Sequence, residues 1–268
     1  MRRMIRFHSA VSTMWAMPTR KKTTAARRPA RPRKEERVAV ITGGSRGIGR
    51  ALASEFAARG YTVLITGRDE AALAEAAASI AKGGATVLTR HCDVRSPESV
   101  GRLFVALETR FKHVDVLVNN AGIAGPNATV DKLKVEAWLE VVATNLNGTF
   151  LVTKAALPLL RSGSTIVNNL SAAARQVFPG MPAYIASKHG ALGFTNALRE
   201  ELRPRGIRVL GLLPGATATD IWDQFWPDAP RARMMSPQTI ARAVADAVEL
   251  PDNASVDELV LSPTAGAL

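Results

Sequence analysis

Between residues 42 and 49 the chain reads Thr42-Gly43-Gly44-Ser45-Arg46-Gly47-Ile48-Gly49, and its surroundings leave few ways to fold it. In front of it, Val38-Ala39-Val40-Ile41 is a short apolar run rich in β-branched residues, which predicts a buried strand. Behind it, Ile48, Leu52 and Phe56 recur at helical spacing as far as Gly60, a stop signal. A strand, a glycine turn and a helix start make an anion cradle. Glycine lets the backbone approach a pyrophosphate, and the free N–H groups and positive dipole end of the helix favour its charge. The glycines fall as G-x-x-x-G-x-G, not as the G-x-G-x-x-G of the commonest dinucleotide fingerprint. Any turn needs glycine, so the cluster alone is weak. Set between a strand and a helix, it points to a bound nucleotide.

From there to the end, strand and helix patterns alternate. Further strands are predicted over residues 61–66, 86–89, 114–118, 165–170, 207–213 and 258–261. Helices are predicted over 70–81, from Ser96-Pro97 to about 111, over 135–160 with a break near Asn145-Leu146-Asn147-Gly148, over 183–202, and from Ser236-Pro237 onward. Strands joined by helices require right-handed crossovers, hence a doubly wound parallel sheet of about seven strands with helices on both faces. The expected fold class is α/β, in one domain over residues 37–268.

The bulk numbers exclude other classes. The 268 residues suffice for one large α/β domain, and 47% hydrophobic content is ordinary for a soluble protein. No apolar run approaches the length of a membrane span. The single cysteine, Cys92, excludes an internal disulfide and points to the cytoplasm; it reads as a small buried apolar residue. Four scattered histidines show no metal-ligand spacing, so no metal is expected. Of the +12 formal net charge, residues 1–37 supply +10, from 12 Lys/Arg and 2 Glu, which leaves the remainder nearly neutral. The basicity therefore belongs to a tail, and the folded part is not expected to bind nucleic acid. Residues 1–36 have no sustained periodicity and are expected to form a disordered basic leader. A solvated leader or an overcalled start, with Met14 or Met17 as initiator, is favoured over a transit peptide or a basic arm.

In a sheet of this kind ligands bind beyond the carboxyl ends of the strands. The unusual polar residues fall there: the glycine loop, Arg68, Asp93, Asn119, Ser171 and Pro214-Gly215. Arg68 follows the second strand, where an adenosine ribose would lie. No acid occupies that strand's last position, Gly67, and Asp69 reads as the N-cap of the next helix. Arg46 and Arg68 could together grip a 2′-phosphate, which favours NADP(H) over NAD(H). Asp69 turned toward the ribose would reverse that preference.

Tyr184-Ile185-Ala186-Ser187-Lys188 places a phenol and an amine four apart, on one helix face. A tyrosine with a pKa near 10 is a poor acid or base at neutrality. A neighbouring ammonium stabilises the phenolate and is expected to lower that pKa, suiting the pair to proton exchange with an alcohol or carbonyl oxygen. Ser171, at an earlier strand end, supplies a hydroxyl that could polarise the same oxygen.

Taken together, Thr42-Gly43-x-x-x-Gly47-Ile48-Gly49, Asp93, Asn119-Asn120-Ala121-Gly122, Asn145, Ser171, Tyr184-x-x-x-Lys188 and Pro214-Gly215 resemble the short-chain dehydrogenase/reductase family, in its order and over residues 37–268. The resemblance implies a Rossmann fold and hydride transfer between a nicotinamide and a carbonyl carbon. It implies Tyr184 as general acid/base, Lys188 on the ribose hydroxyls, and Ser171 steadying the substrate oxygen. Asn145 would hold a water linking Lys188 to solvent. Gly43, Ser45, Arg46, Gly47, Ile48 and Gly49 would bind the cofactor, with Asp93 and Val94 at the adenine, Asn119 at the ribose, and Thr217 and Thr219 near the carboxamide. It also implies homodimers or homotetramers packed through the helices bearing Asn145 and Tyr184. Ser171-Ala172-Ala173-Ala174 lacks the glycine often found after the serine in that family. Trp222, Phe225 and Trp226 fall in the segment expected to cover the substrate and suggest a bulky or apolar ligand; packing at a sheet edge or subunit contact is the competing reading. The leading expectation is a carbonyl reductase or alcohol dehydrogenase acting on a small molecule. A 3-oxoacyl thioester reductase and a non-catalytic NADP-sensing protein are the alternatives.

Overall fold

Side-chain alternation along the first strand decides the layers of this molecule. A computed structural model describes residues 36–266. The leader read over residues 1–36 thus lies outside the described residues, except for Glu36, whose carboxylate accepts a 2.7 Å hydrogen bond from the Thr62 hydroxyl. In chain order come β1 (Val38–Thr42), α1 (Gly47–Ala58), β2 (Thr62–Gly67), α2 (Glu70–Ala81), β3 (Val87–His91), α3 (Pro97–Arg110) and β4 (Val114–Asn119). Then follow α4 (Val135–Val142), α5 (Gly148–Ala156), β5 (Leu160–Asn169), α6 (Pro182–Leu202), β6 (Arg208–Pro214), α7 (Pro237–Val248) and β7 (Glu258–Leu261). All seven strands run parallel in the order β3-β2-β1-β4-β5-β6-β7. The winding reverses between β1 and β4, and a crevice opens there beyond the strand ends.

Ala39 and Ile41 face one layer while Val38 and Val40 face the other, as a period of two requires. The first layer is closed by Leu52 and Phe56 of α1, Leu73 of α2 and Ile240 and Val244 of α7, the second by Leu103 and Phe104 of α3, Val152 of α5 and Leu198 of α6. Each such side chain removed from water contributes about 1.5–3 kcal/mol, so both faces must be covered before the sheet is stable. Local signals set the helix starts. Asp69, Ser96 and Ser236 each accept a hydrogen bond from the backbone N–H three residues on, and Pro97 and Pro237 open their helices. Among the described residues no helix is long and apolar enough to cross a membrane.

The segment expected as one broken helix over 135–160 differs from that reading. α4 gives way to a π-helical turn over Ala143–Asn147, α5 resumes at Gly148, and Leu157–Leu159 form a short 3-10 turn. Pro158 lacks the N–H that another helical bond would need. β5 then begins at Leu160, ahead of the expected 165. Arg161 and Ser162 are exposed within it, so no apolar alternation announces the strand. Ser164 Oγ holds it instead, donating to Val114 O at 2.7 Å and accepting from Arg161 N at 3.1 Å.

Candidate active site

The glycine loop is built around Thr42. Its hydroxyl, 1% exposed, donates to Val118 O and accepts from the backbone N–H groups of Asn120 and Ala121, both at 3.0 Å. Asn120 Nδ2 donates to the carbonyls of Thr42 and Gly43, and Asn169 Nδ2 donates to Asn120 Oδ1 at 2.8 Å. β1, β4 and β5 are thereby stitched together at the crevice. Gly43 and Gly47 take φ of +64° and +55°, the left-handed region. Gly49 serves packing: a Cβ there would fall 2.2 Å from Gly43 O. Gly43, Ser45, Arg46, Gly47 and Ile48 form the cavity wall in front of it. Arg46 precedes α1 without capping it, and no acid occupies the first turn, so the opening N–H groups of α1 have no side-chain acceptor. A cradle of this shape, beside the cation of Arg46, fits a dinucleotide pyrophosphate.

On the β2–β3 side, Arg68, Asp93, Val94 and Arg95 line the same cavity. Arg95 grips the Asp93 carboxylate through Nε and Nη2 and reaches Glu140 Oε1 of α4 at 2.9 Å. That grip, aided by Arg68, holds Asp93 below the usual carboxylate range. Arg68 stands 3.9 Å from the same Glu140 oxygen. Asp69 is occupied as the cap of α2, its Oδ1 accepting from Ala72 N at 3.0 Å.

Asn119 does not reach the crevice. Its side chain is buried, donating to Thr153 Oγ1 at 2.9 Å and Asn168 Oδ1 at 2.8 Å. This corrects its assignment to the ribose: strand alternation sends Asn119 toward α5, and the next residue, Asn120, forms the wall.

Tyr184 and Lys188 of α6 and Ser171 at the end of β5 meet on one side of the cavity. Ser171 Oγ accepts from Ala173 N at 3.1 Å, so the three alanines after it form a 3-10 turn without the missing glycine. Tyr184 is hydrogen-bonded to Ser171, which lowers its pKa, but burial outweighs that bond and pushes the phenol above its ordinary value. Burial also pulls the Lys188 amine down to about 8. Lys188 Nζ donates to Asn169 O at 2.8 Å and sits 5.6 Å from the centre of the Tyr184 ring. The expected lowering of the tyrosine by the ammonium is therefore absent from this arrangement, because the amine is turned to a carbonyl and both groups are desolvated. Asn145, 2% exposed, lies behind the wall: it exchanges hydrogen bonds with the backbone of Ile123 and donates to Ser187 Oγ at 3.0 Å. Its side chain ties the loop after β4 to α6 through the π-helical turn, and its backbone carbonyl accepts from Thr149 Oγ1 at 2.9 Å.

Thr217 and Thr219 line the far side of the crevice, and Thr219 Cγ2 would lie 3.3 Å from a Cβ at Gly47, so the roof segment touches the glycine loop. Trp222, Phe225 and Trp226 all face the cavity, with ring centroids 5.1 Å and 6.0 Å from Trp222. The whole cavity encloses about 870 Å³. Among the described residues no group of three His, Cys, Asp or Glu could hold a metal, and Cys92 is buried.

The family model for short chain dehydrogenases matches residues 37–230, the span that carries both the glycine loop and the Tyr184/Lys188 pair. The chain belongs to the short-chain dehydrogenase/reductase family. A 3beta-hydroxysteroid dehydrogenase of Mediterraneibacter gnavus is 35% identical, over 72% of this chain and 71% of its own length. A 3-oxoacyl-[acyl-carrier-protein] reductase of Synechocystis is 35% identical, over 77% of this chain and 87% of its own. The structure of an alcohol dehydrogenase from the archaeon Thermococcus sibiricus, complexed with 5-hydroxy-NADP, superposes with a TM-score of 0.81 at 32% identity, covering 87% of this chain and 99% of that one. As a member of this family, the protein is an oxidoreductase acting on CH–OH groups with a nicotinamide cofactor. Sequence reasoning missed Asn120 as the polar wall, Arg95 with its partner Glu140 at the β2–β3 end, and Phe178 and Met181 across from the roof. Arg95, two positions beyond Asp93, carried a signal that could have been read; Glu140 carried none.

Proposed function

We propose that this short-chain dehydrogenase/reductase transfers a hydride between NADP(H) and a carbonyl or secondary alcohol, with Tyr184 as general acid/base. The observation that carries this reading is the convergence of Tyr184, Ser171 and Lys188 on the cavity that also contains the glycine loop. In the reductive direction, ketone, NADPH and one proton give alcohol and NADP+. The glycine loop and Arg46 would hold NADPH, which would supply the hydride to the carbonyl carbon. Tyr184 donates the proton to the carbonyl oxygen and is reprotonated from solvent. A phenol held protonated at neutral pH is suited to that donation. Ser171 steadies the same oxygen, and Lys188, held by Asn169 O, would bind the cofactor's ribose hydroxyls. Preference for NADP(H) is supported by Arg46, Arg68 and Arg95 in the wall and by the engagement of Asp69 as a helix cap. The NADP analogue in the archaeal relative points the same way. Tyr184→Phe should abolish NADPH oxidation across a carbonyl panel while leaving NADPH binding intact; unchanged turnover would overturn the mechanism.

Likeness to a 3-oxoacyl-[acyl-carrier-protein] reductase favours a second reading, in which the carbonyl belongs to an acyl thioester. A non-catalytic sensor has no need of all three converging groups. Self-association through α4 to α6 is supported by Trp138, Leu139 and Phe150, which are 37%, 58% and 44% exposed on that side. Sedimentation would read it as a dimer or tetramer.

A further inference from the structure

The cavity has two ends of opposite character. On the β2–β3 side its wall carries Arg68, Asp69, Asp93 and Arg95. On the β5–β6 side it carries Phe178, Met181, Trp222, Phe225 and Trp226, with Asp220 of the roof as the charged side chain beside them and no cation. Strand order keeps the two sets apart, because β1 and β4 lie between. Tyr184 and Ser171 therefore stand where the polar end gives way to hydrocarbon.

The aromatic end offers no Arg or Lys of its own roof to an anion. The indole N–H of Trp222 is consumed by Thr217 O at 2.8 Å, so the ring presents only carbon to the cavity. Gln224 Oε1 is likewise occupied, accepting from Ala124 N at 3.1 Å, a bond that ties the roof to the loop after β4. Asn127, Gln176 and Ser262 are further neutral polar residues of this part of the wall. The roof segment 217–235 holds Asp220, Asp223 and Asp228 against Arg231 and Arg233. Arg231 is held by Asp223 and by Thr219 O, and Arg175, at the neighbouring loop, by Glu258. A phosphate-bearing handle thus meets a segment of net negative charge, and desolvating it there is costly. At the rim, Val177, Phe178 and Trp226 remain 74%, 38% and 42% exposed, an apolar patch on the two loops flanking the mouth.

We propose that the carbonyl substrate is an uncharged fused-ring or aryl ketone, clamped between the Trp222–Phe225–Trp226 roof and the Phe178–Met181 wall, and not a phosphate-bearing acyl thioester. This rests on the hydride-transfer reading above. The roof supplies π-faces at fixed spacing, which favour flat, rigid rings over flexible chains because less freedom is lost on binding. The carbonyl would project toward Ser171 and Tyr184 while the rings stay under the aromatics.

The test compares kcat/KM for NADPH oxidation with 1-tetralone, cyclohexanone and acetoacetyl-CoA. The proposal expects 1-tetralone to exceed both others by about 100-fold or more, given what added apolar contact is worth in a pocket. In Phe225→Ala the ratio of 1-tetralone to cyclohexanone should fall by roughly tenfold. A second readout needs no turnover. Titrating Tyr184→Phe protein with 2-decalol should shift tryptophan emission to the blue, and adding Trp222→Phe should remove most of that shift. Preference for acetoacetyl-CoA, or an unchanged ratio in Phe225→Ala, would overturn the proposal while leaving hydride transfer standing. Turnover of none of the three ketones by the unaltered protein, with the 2-decalol shift intact, would uphold the aromatic site and overturn hydride transfer instead.

Discussion

Lys188 should make this protein more stable as the solution becomes more alkaline. The side chain is 6% exposed, and burial lowers its pKa from 10.5 to about 8. Because the folded value lies below the unfolded one, the unfolded chain holds more protons between those two pH values. Native stability therefore rises with pH across that window and is lowest below it. The gap means that at pH 7 the charged amine costs the folded state about 3 kcal/mol, a cost that shrinks to about 1 kcal/mol near pH 10. Lys188→Met keeps an unbranched side chain, one atom shorter, and removes the charge. It also strips Asn169 O of its 2.8 Å donor, an offset of about 1–3 kcal/mol that does not vary with pH. The quantity to read is thus the pH slope of the difference between the two proteins. Urea unfolding at a fixed protein concentration, from pH 7 to 10, should show the unaltered protein gaining about 2–3 kcal/mol on the variant. Parallel curves would refute the claim that this amine is desolvated at the site. The same variant should be inactive in carbonyl reduction.

Thr42→Val leaves two backbone N–H groups without their acceptor and should cost about 2–4 kcal/mol, whereas Thr42→Ser keeps the oxygen and should cost only about 1 kcal/mol. Urea midpoints in the reverse order would contradict the role given to that hydroxyl. Gly49→Ala, with its Cβ 2.2 Å from Gly43 O, must displace the loop, and NADPH binding followed by fluorescence should weaken roughly tenfold or more. Glu140→Gln releases Arg68 and Arg95 from an exposed carboxylate and should tighten NADPH by about two- to fivefold with NADH little changed. Arg68→Ala should do the opposite, and equal effects on the two cofactors would reject the 2′-phosphate assignment.

Short-range signals were readable directly from the chain. Asp69, Ser96 and Ser236 cap the helices that their spacing announced, since a cap involves only neighbours along the backbone. The Tyr184/Lys188 pair is similar, because four residues on a helix share a face wherever that helix packs. The start of β5 was not readable, since Arg161 and Ser162 are exposed polar residues and the pairing with β4 passes from Leu160 to Thr165 through a register shift. Asn119 and Asn120 differ by a single step of strand alternation, and both faces of β4 are buried, so hydropathy cannot tell which asparagine meets the crevice.

What the amino-acid order determined by itself is the alternation of strand and helix, the glycine turn and the presence of a phenol, an amine and a hydroxyl at strand and helix ends. Periodicity and local capping suffice for those. Only the tertiary structure decided the electrostatics of the site: that Lys188 faces Asn169 O, that Glu140 meets Arg95 across 45 positions of sequence, and that the tryptophans form a roof. The physical reason is that desolvation and charge pairing depend on what surrounds a group in space, and those neighbours come from segments distant in the chain.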